Sequence, residues 1–217
     1  MSAGRIKELQ KELFDALIPG LGVHGFAPIP VDQAFHKVVP EGRWIFHVAF
    51  VPHDAHFDVT GDVAIRIDAV EDVVNRGNTA LLARDRKRTA TIGAELGNIA
   101  DGRQRRWTVR TATDLIDVAA SVVREFETFG LPYLERYSNL ETMLEAISRE
   151  DRSSWLHAPI HDARWKRAVA LAVVLGQGDV AAKLVDRGGR YLRDRKDPGA
   201  KSFEDFAHRI LVGGTGA

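Results

Sequence analysis

The run His53-Asp54-Ala55-His56-Phe57-Asp58 places two imidazoles and a carboxylate within a few residues of one another. Imidazole nitrogen and carboxylate oxygen are ligands for divalent transition ions, so such a run could hold a metal. Its spacing matches no established metal motif, however, and a hairpin tip needs small polar residues in any case. No bound metal is expected on sequence grounds. His157 and His161 would share one face of a continuous helix, but Pro159 lies between them and breaks it. Ala158 also stands where the zinc-protease pattern requires a glutamate. His47 reads as a surface residue or a hydrogen-bond partner on the more polar side of a strand.

Gly176-Gln-Gly178-Asp-Val-Ala181 spells the G-x-G-x-x-A turn of dinucleotide-binding units. The apolar run before it, Ala168 to Leu175, is rich in helix formers, and nothing after it reads as a strand. A parallel sheet could not be completed. The glycines instead suit a tight helix-turn-helix, with Gly176 ending one helix and Asp179 capping the next. No serine or cysteine nucleophile sits in a recognisable local motif, and there is no P-loop. Neither a catalytic residue nor a cofactor is expected.

Charge offers two further candidates. The formal net charge is zero, but the charge is banded. Glu41 to Asp72 holds seven acids against two bases, and Thr111 to Glu150 eight against three. Arg84 to Arg110 holds eight bases against three acids, and Asp151 to Lys201 eleven against six. Asp58, Asp62, Asp68 and Glu71 form the candidate contact for a basic protein partner, since charge complementarity steers association. The alternative is a phosphate or nucleotide ligand, or a reaction upon one, at Arg103, Arg105, Arg106, Trp107 and Arg110. These lie close in sequence to Arg84, Arg86, Lys87 and Arg88. Overall neutrality argues against nucleic acid.

Elements must position these groups. Trp44, Phe46, Val48 and Phe50 alternate along one strand, and Phe57, Val59, Val63, Ile65 and Ile67 along the next. This period of two predicts an antiparallel ribbon with a buried face, covered by a helix carrying Leu115, Val118, Val122, Phe126 and Phe129. Ala34 to Val39 and Thr91 to Asn98 add strands, and Arg106 to Val109 a short extension. The opening helix, with Ile6, Leu9, Leu13 and Leu17, should be ended by Pro19 and the GLGVHGF run after it. Capping boxes are expected at Asp68–Glu71 and Ser138–Glu141, and a Thr111 or Thr113 cap before the Leu115 helix. The Asp68 helix should run toward Leu81 through a weak Gly77-Asn78. Gly130 and Pro132 should separate two helices. Beyond Ser138 every segment reads helical, up to a frayed GGTGA tail.

The fold class is therefore α+β: an antiparallel sheet of about four strands packed by helices, with an all-helical C-terminal extension. Residues 1–147 form the α+β domain and 160–212 the helical unit, joined by a polar linker at 148–159. The chain has no cysteine. With no long apolar segment and no signal-peptide pattern, it reads as cytoplasmic and without a membrane partner. Its Ala-, Arg- and Val-rich composition is that of a bacterial protein.

Residues 5–137 resemble a group of uncharacterised bacterial domains, some of which occur beside polymorphic toxins and are thought to be immunity proteins. The resemblance rests on an opening helix ending in Gly25-Phe26, the strands from Trp44 to Asp68 and the IGAELGN strand. Trp107 before a Thr-capped helix and FGLPYLERY, Phe129 to Tyr137, complete it. It implies a non-enzymatic, protein-binding role and supplies no catalytic residues.

Overall fold

A computed structural model describes residues 3–76 and 81–213. Its elements, in chain order, are α1 (Ala3–Gly22), β1 (Ala27–Ile29), β2 (Ala34–Val39), β3 (Gly42–Pro52), β4 (Phe57–Ile67), α2 (Asp68–Asn75), α3 (Ala83–Arg86) and β5 (Ile92–Glu95). There follow α4 (Leu96–Ala100), β6 (Trp107–Val109), α5 (Leu115–Glu125), a π-helical turn (Phe126–Gly130), α6 (Leu131–Tyr137), α7 (Leu140–Ile147), α8 (Ser153–His157), α9 (His161–Val174), α10 (Gly178–Asp194) and α11 (Ala200–Gly213). The fold is α+β, with an open antiparallel sheet and C-terminal helices. Among the described residues, no helix is long and apolar enough to cross a membrane.

The chain divides into two compact units, 1–65 with 93–136 and 66–92 with 137–217. This division differs from the linear one expected from sequence, because 66–92 joins the C-terminal helices. The expected linker is also structured. It carries α8, and the buried Arg164 donates to Ile147 O at 3.0 Å and Ser154 Oγ at 2.8 Å, tying α7, α8 and α9 together.

The first unit is built on the sheet. Its strands run β1-β2-β3-β4-β5, with β6 also paired to β4. β4 thus carries β3 on one edge and both β5 and β6 on the other. Phe46, Val48, Phe57, Val59, Val63 and Ile65 are buried on the face the alternation predicts. Trp44 and Phe50 are half-buried; Phe50 lies edge-on to Phe57 with ring centroids 5.6 Å apart. Cover comes from two helices rather than one. Phe14 of α1 stacks on Phe35 at 4.5 Å, and Phe126 lies 5.1 Å from Phe46.

Several element ends differ from expectation, each for a packing reason. α1 passes Pro19 and ends at Gly22, within the expected GLGVHGF run, and the buried Leu21 anchors that last turn. Gly130 and Pro132 do not break the chain into separate helices. The π turn supplies the extra room that a proline ring needs, and α6 follows directly. That turn also shifts the helical register, so Gly130 rather than Phe129 is buried; a Cβ there would lie 2.9 Å from Val63 Cγ1. β5 stops at Glu95 because its carboxylate caps α4, accepting from Asn98 N at 2.9 Å. Thr111 caps as expected, in a box with Asp114.

In the second unit neither expected capping box forms. Arg66 Nε takes the Asp68 carboxylate at 2.6 Å, and Glu71 turns inward to Arg167 at 3.0 Å. α7 is capped by Asn139, which accepts from Thr142 N at 2.8 Å. α2 ends at Asn75, and the Gly77-Asn78 site lies outside the described residues, as does the tail beyond Gly213. The glycine-rich turn joins two helices: α9 ends at Val174, Gly176 takes φ +71°, and α10 begins at Gly178. The N-cap position there is Gln177, two residues before the expected Asp179, and its side chain makes no capping hydrogen bond.

Candidate functional site

The β3–β4 hairpin turns through Asp54-Ala55, closed by a 2.9 Å hydrogen bond from His53 N–H to His56 C=O. Residues facing each other across such a turn project to the same side. The two imidazoles stack at 4.4 Å between centroids, 23° apart. Asp58 lies two residues beyond His56, and the strand's period of two returns it to that same side. Its registered partner on β6 is Thr108, with Arg106 two residues before. Strand register thus collects five polar side chains at one end of the ribbon.

The Asp58 carboxylate is the hub. Oδ1 accepts from Thr108 Oγ1 at 2.8 Å. Oδ2 lies 3.0 Å from His53 Nε2 and 3.7 Å from Arg106 Nη1. The ligand-capable atoms of His53, His56 and Asp58 are all within 4.8 Å of one another. The Asp58 side chain is 13% exposed and that of His53 37%. Burial alone would raise the Asp58 carboxyl. Hydrogen bonds from Thr108 and His53, with the positive charge of His53 and His56, outweigh it and hold the group below its usual range. Further along the ribbon, His47 Nδ1 sits 3.4 Å from Asp62 Oδ2.

The four acids of the proposed partner contact have different surroundings. Asp58 and Asp62 belong to the first unit, Asp68 and Glu71 to the second. Asp62 and Asp68 are exposed, but Asp58 is engaged by three neighbours and the Glu71 side chain is fully buried. The basic set is similarly occupied. Arg105 Nη1 pairs with Glu125 at 3.0 Å and Nη2 with Asp101 at 3.4 Å, while Arg106 faces Asp58. Trp107 is half-buried in β6, and Arg103 and Arg110 are exposed. Acidic and basic bands that look like rival surfaces in the sequence are, in the first unit, partly each other's counter-charges.

The other histidines singled out in the sequence have separate partners. His157 is buried against Tyr137, ring centroids 4.6 Å apart, and His161 Nδ1 lies 3.2 Å from Asp197 Oδ2. Sequence spacing alone did not bring His53, His56 and Asp58 together, because their geometry depends on a two-residue turn, which brings His53 across the ribbon. The signal was present in the small turn pair between two alternating runs. No protein-family model, curated protein or solved structure matches this chain.

Proposed function

We propose that this chain is a metal-binding module in which the β3–β4 hairpin tip holds a divalent first-row transition ion, best matched by zinc. One observation carries the reading: the donor atoms of His53, His56 and Asp58 lie within 4.8 Å of one another. An ion about 2.0–2.2 Å from each nitrogen and oxygen needs its ligands roughly 3–4 Å apart. Small side-chain rotations at the exposed tip close that gap. Two imidazoles favour a borderline transition ion over magnesium or calcium, which take oxygen. Thr108 holds Oδ1 and so orients the carboxylate, the role a supporting hydrogen bond plays around a metal. Three protein ligands leave a fourth tetrahedral position for water. Arg106 is the competing cation.

The test is titration of protein lacking a polyhistidine tag with Co²⁺, followed by its visible d–d bands, and with Zn²⁺ by calorimetry. One equivalent should bind. His53→Ala and His56→Ala should abolish binding, and Thr108→Val should weaken it about 10–100-fold. His47→Ala should leave it intact. Binding retained by folded His53→Ala and His56→Ala protein, or none in the wild type, refutes the reading.

A second reading, the non-enzymatic and immunity-like protein binding that the resemblance implies, is favoured by an apolar trough between α1 and α5. It measures about 530 Å³, with Ala16, Gly20, Ala119, Ala120 and Val123 along it and Ile116 78% exposed beside it. A small-residue floor suits an amphipathic helix laid in the groove. Ile116→Glu should abolish capture of a protein partner from host extract; capture unchanged by that substitution counts against the trough.

A further inference from the structure

Arg164 stands where α9 calls for an apolar side chain. Ala168, Leu171 and Ala172 follow it at helical spacing, and all three are fully buried. Arg164 is fully buried with them. A buried lysine sheds its proton readily, but a guanidinium stays charged in a protein. Such a charge needs compensation at its own site.

The chain supplies only part of it. Arg164 Nη1 donates to Ile147 O at 3.0 Å, to Ser154 Oγ at 2.8 Å and to Arg149 O. Nε and Nη2 are buried and have no hydrogen-bond partner among the described residues. Those two nitrogens form one edge of the guanidinium plane, an edge that grips two oxygens at once. The nearby carboxylates are engaged elsewhere: Glu150 pairs with Arg187 at 3.2 Å, and Asp197 faces His161 at 3.2 Å. The guanidinium carbon lies 5.3 Å from the Trp165 ring centroid and 5.2 Å from that of Tyr191. Aromatic faces attract the cation but offer no lone pair to its N–H bonds. The same two residues carry further unmet groups. Trp165 Nε1 and Tyr191 Oη are buried without a partner among the described residues, and the two rings are 5.6 Å apart. Burial pushes the Arg164 pKa below its ordinary value, against a smaller upward pull from Tyr191. Donors thus outnumber acceptors around a charge that no acid of the chain bonds.

We propose that this cluster in the second unit binds a small planar oxyanion, with two of its oxygens on the Nε–Nη2 edge of Arg164 and the Tyr191 hydroxyl as a further donor. A water molecule meets the hydrogen bonds but not the charge; an anion meets both. Full burial limits the guest to a few atoms, the size of formate or nitrate. The residues involved lie in chain segments apart from the hairpin tip, and binding does not depend on metal there.

The full chain, dialysed into a buffer whose only anion is bulky, is titrated with sodium formate, nitrate and acetate. The arginine Nε–H and indole N–H signals in proton–nitrogen correlation spectra report binding. Formate and nitrate should shift the Arg164 Nε–H signal saturably, and the larger acetate should bind more weakly. Tighter binding of formate than of nitrate assigns a carboxylate as the guest, and the reverse order an inorganic anion. Tyr191→Phe keeps the ring and should weaken binding by about tenfold or more. Arg164→Gln should abolish it; if that variant does not fold, Tyr191→Phe decides. Absence of a saturable shift at tens of millimolar overturns the proposal. So does affinity unchanged in Tyr191→Phe, or a high-resolution crystal structure grown in formate with only water on Arg164 Nε and Nη2.

Discussion

Glu71 and Asp62 look alike in the sequence, two acids in one acidic band, yet their surroundings give them opposite roles. Glu71 is fully buried, with Oε1 bound to Arg167 Nε at 3.0 Å and Oε2 without a partner. Removing one member of a buried ion pair strands the other, at a cost of about 3–5 kcal/mol. Asp62 is 42% exposed and faces His47 at 3.4 Å, an arrangement in which solvent screening leaves little net stabilisation. Chemical denaturation should therefore show Glu71→Ala strongly destabilised and Asp62→Asn within about 0.5 kcal/mol of wild type. Equal effects would contradict the assigned burial. The same contrast explains what could be read of the candidate site. Residue type announced that His53, His56 and Asp58 could ligate; only the turn geometry determined that they meet. For the acids, type and alternation placed Asp58 on the outer side of its strand. They could not show that Thr108, His53 and Arg106 would already surround it.

At the scale of elements, strands were more legible than helix ends. Large apolar residues at period two leave one workable register, because a slip of one residue would turn Phe46, Phe57 and Val63 to the outer face. Helix ends depend on what packs beyond them. Leu21 holds a turn past Pro19, and the π turn carries the chain past Pro132, neither of which local sequence encodes. Gly188 lies in the buried stripe of α10 with Leu184 and Tyr191. A Cβ at Gly188 would lie 2.9 Å from Phe203 Cζ and 3.0 Å from Trp165. At the adjacent Gly189 the nearest atom is the end of the Arg193 side chain, at 3.2 Å, and that side chain is 56% exposed and able to move. Neighbouring substitutions should thus have opposite signs. Gly188→Ala overpacks a core and should cost about 1–3 kcal/mol. Gly189→Ala should gain about 0.5–1 kcal/mol from helix propensity. Thermal unfolding of the two variants decides; the same sign for both would show that the α10 contact is misassigned.

For the whole molecule, zero formal charge conceals a directional response to acid. Burial, reinforced by the charge of Arg43, pushes the His36 imidazole below its ordinary 6.5 against a smaller upward pull from Asp32. The folded chain therefore binds fewer protons there than the unfolded chain does. Stability from this group is present above about pH 6.5 and is lost as pH falls toward the lowered folded value. Asp58 acts in the same direction further down. Its depressed carboxyl contributes stability above the ordinary 3.8 that disappears as pH drops through the folded value. Backbone hydrogen bonds from Arg110 and Thr111 depress Asp114 likewise. Acid should accordingly weaken the fold in two stages, histidine first and carboxylates second. Urea midpoints measured at about pH 7.5 and about pH 5.5 isolate the first stage. Wild type should lose stability across that interval, and His36→Gln should lose less of it, because the glutamine cannot take up a proton in the unfolded chain. A wild-type loss equalled by His36→Gln would assign the acid response to other groups.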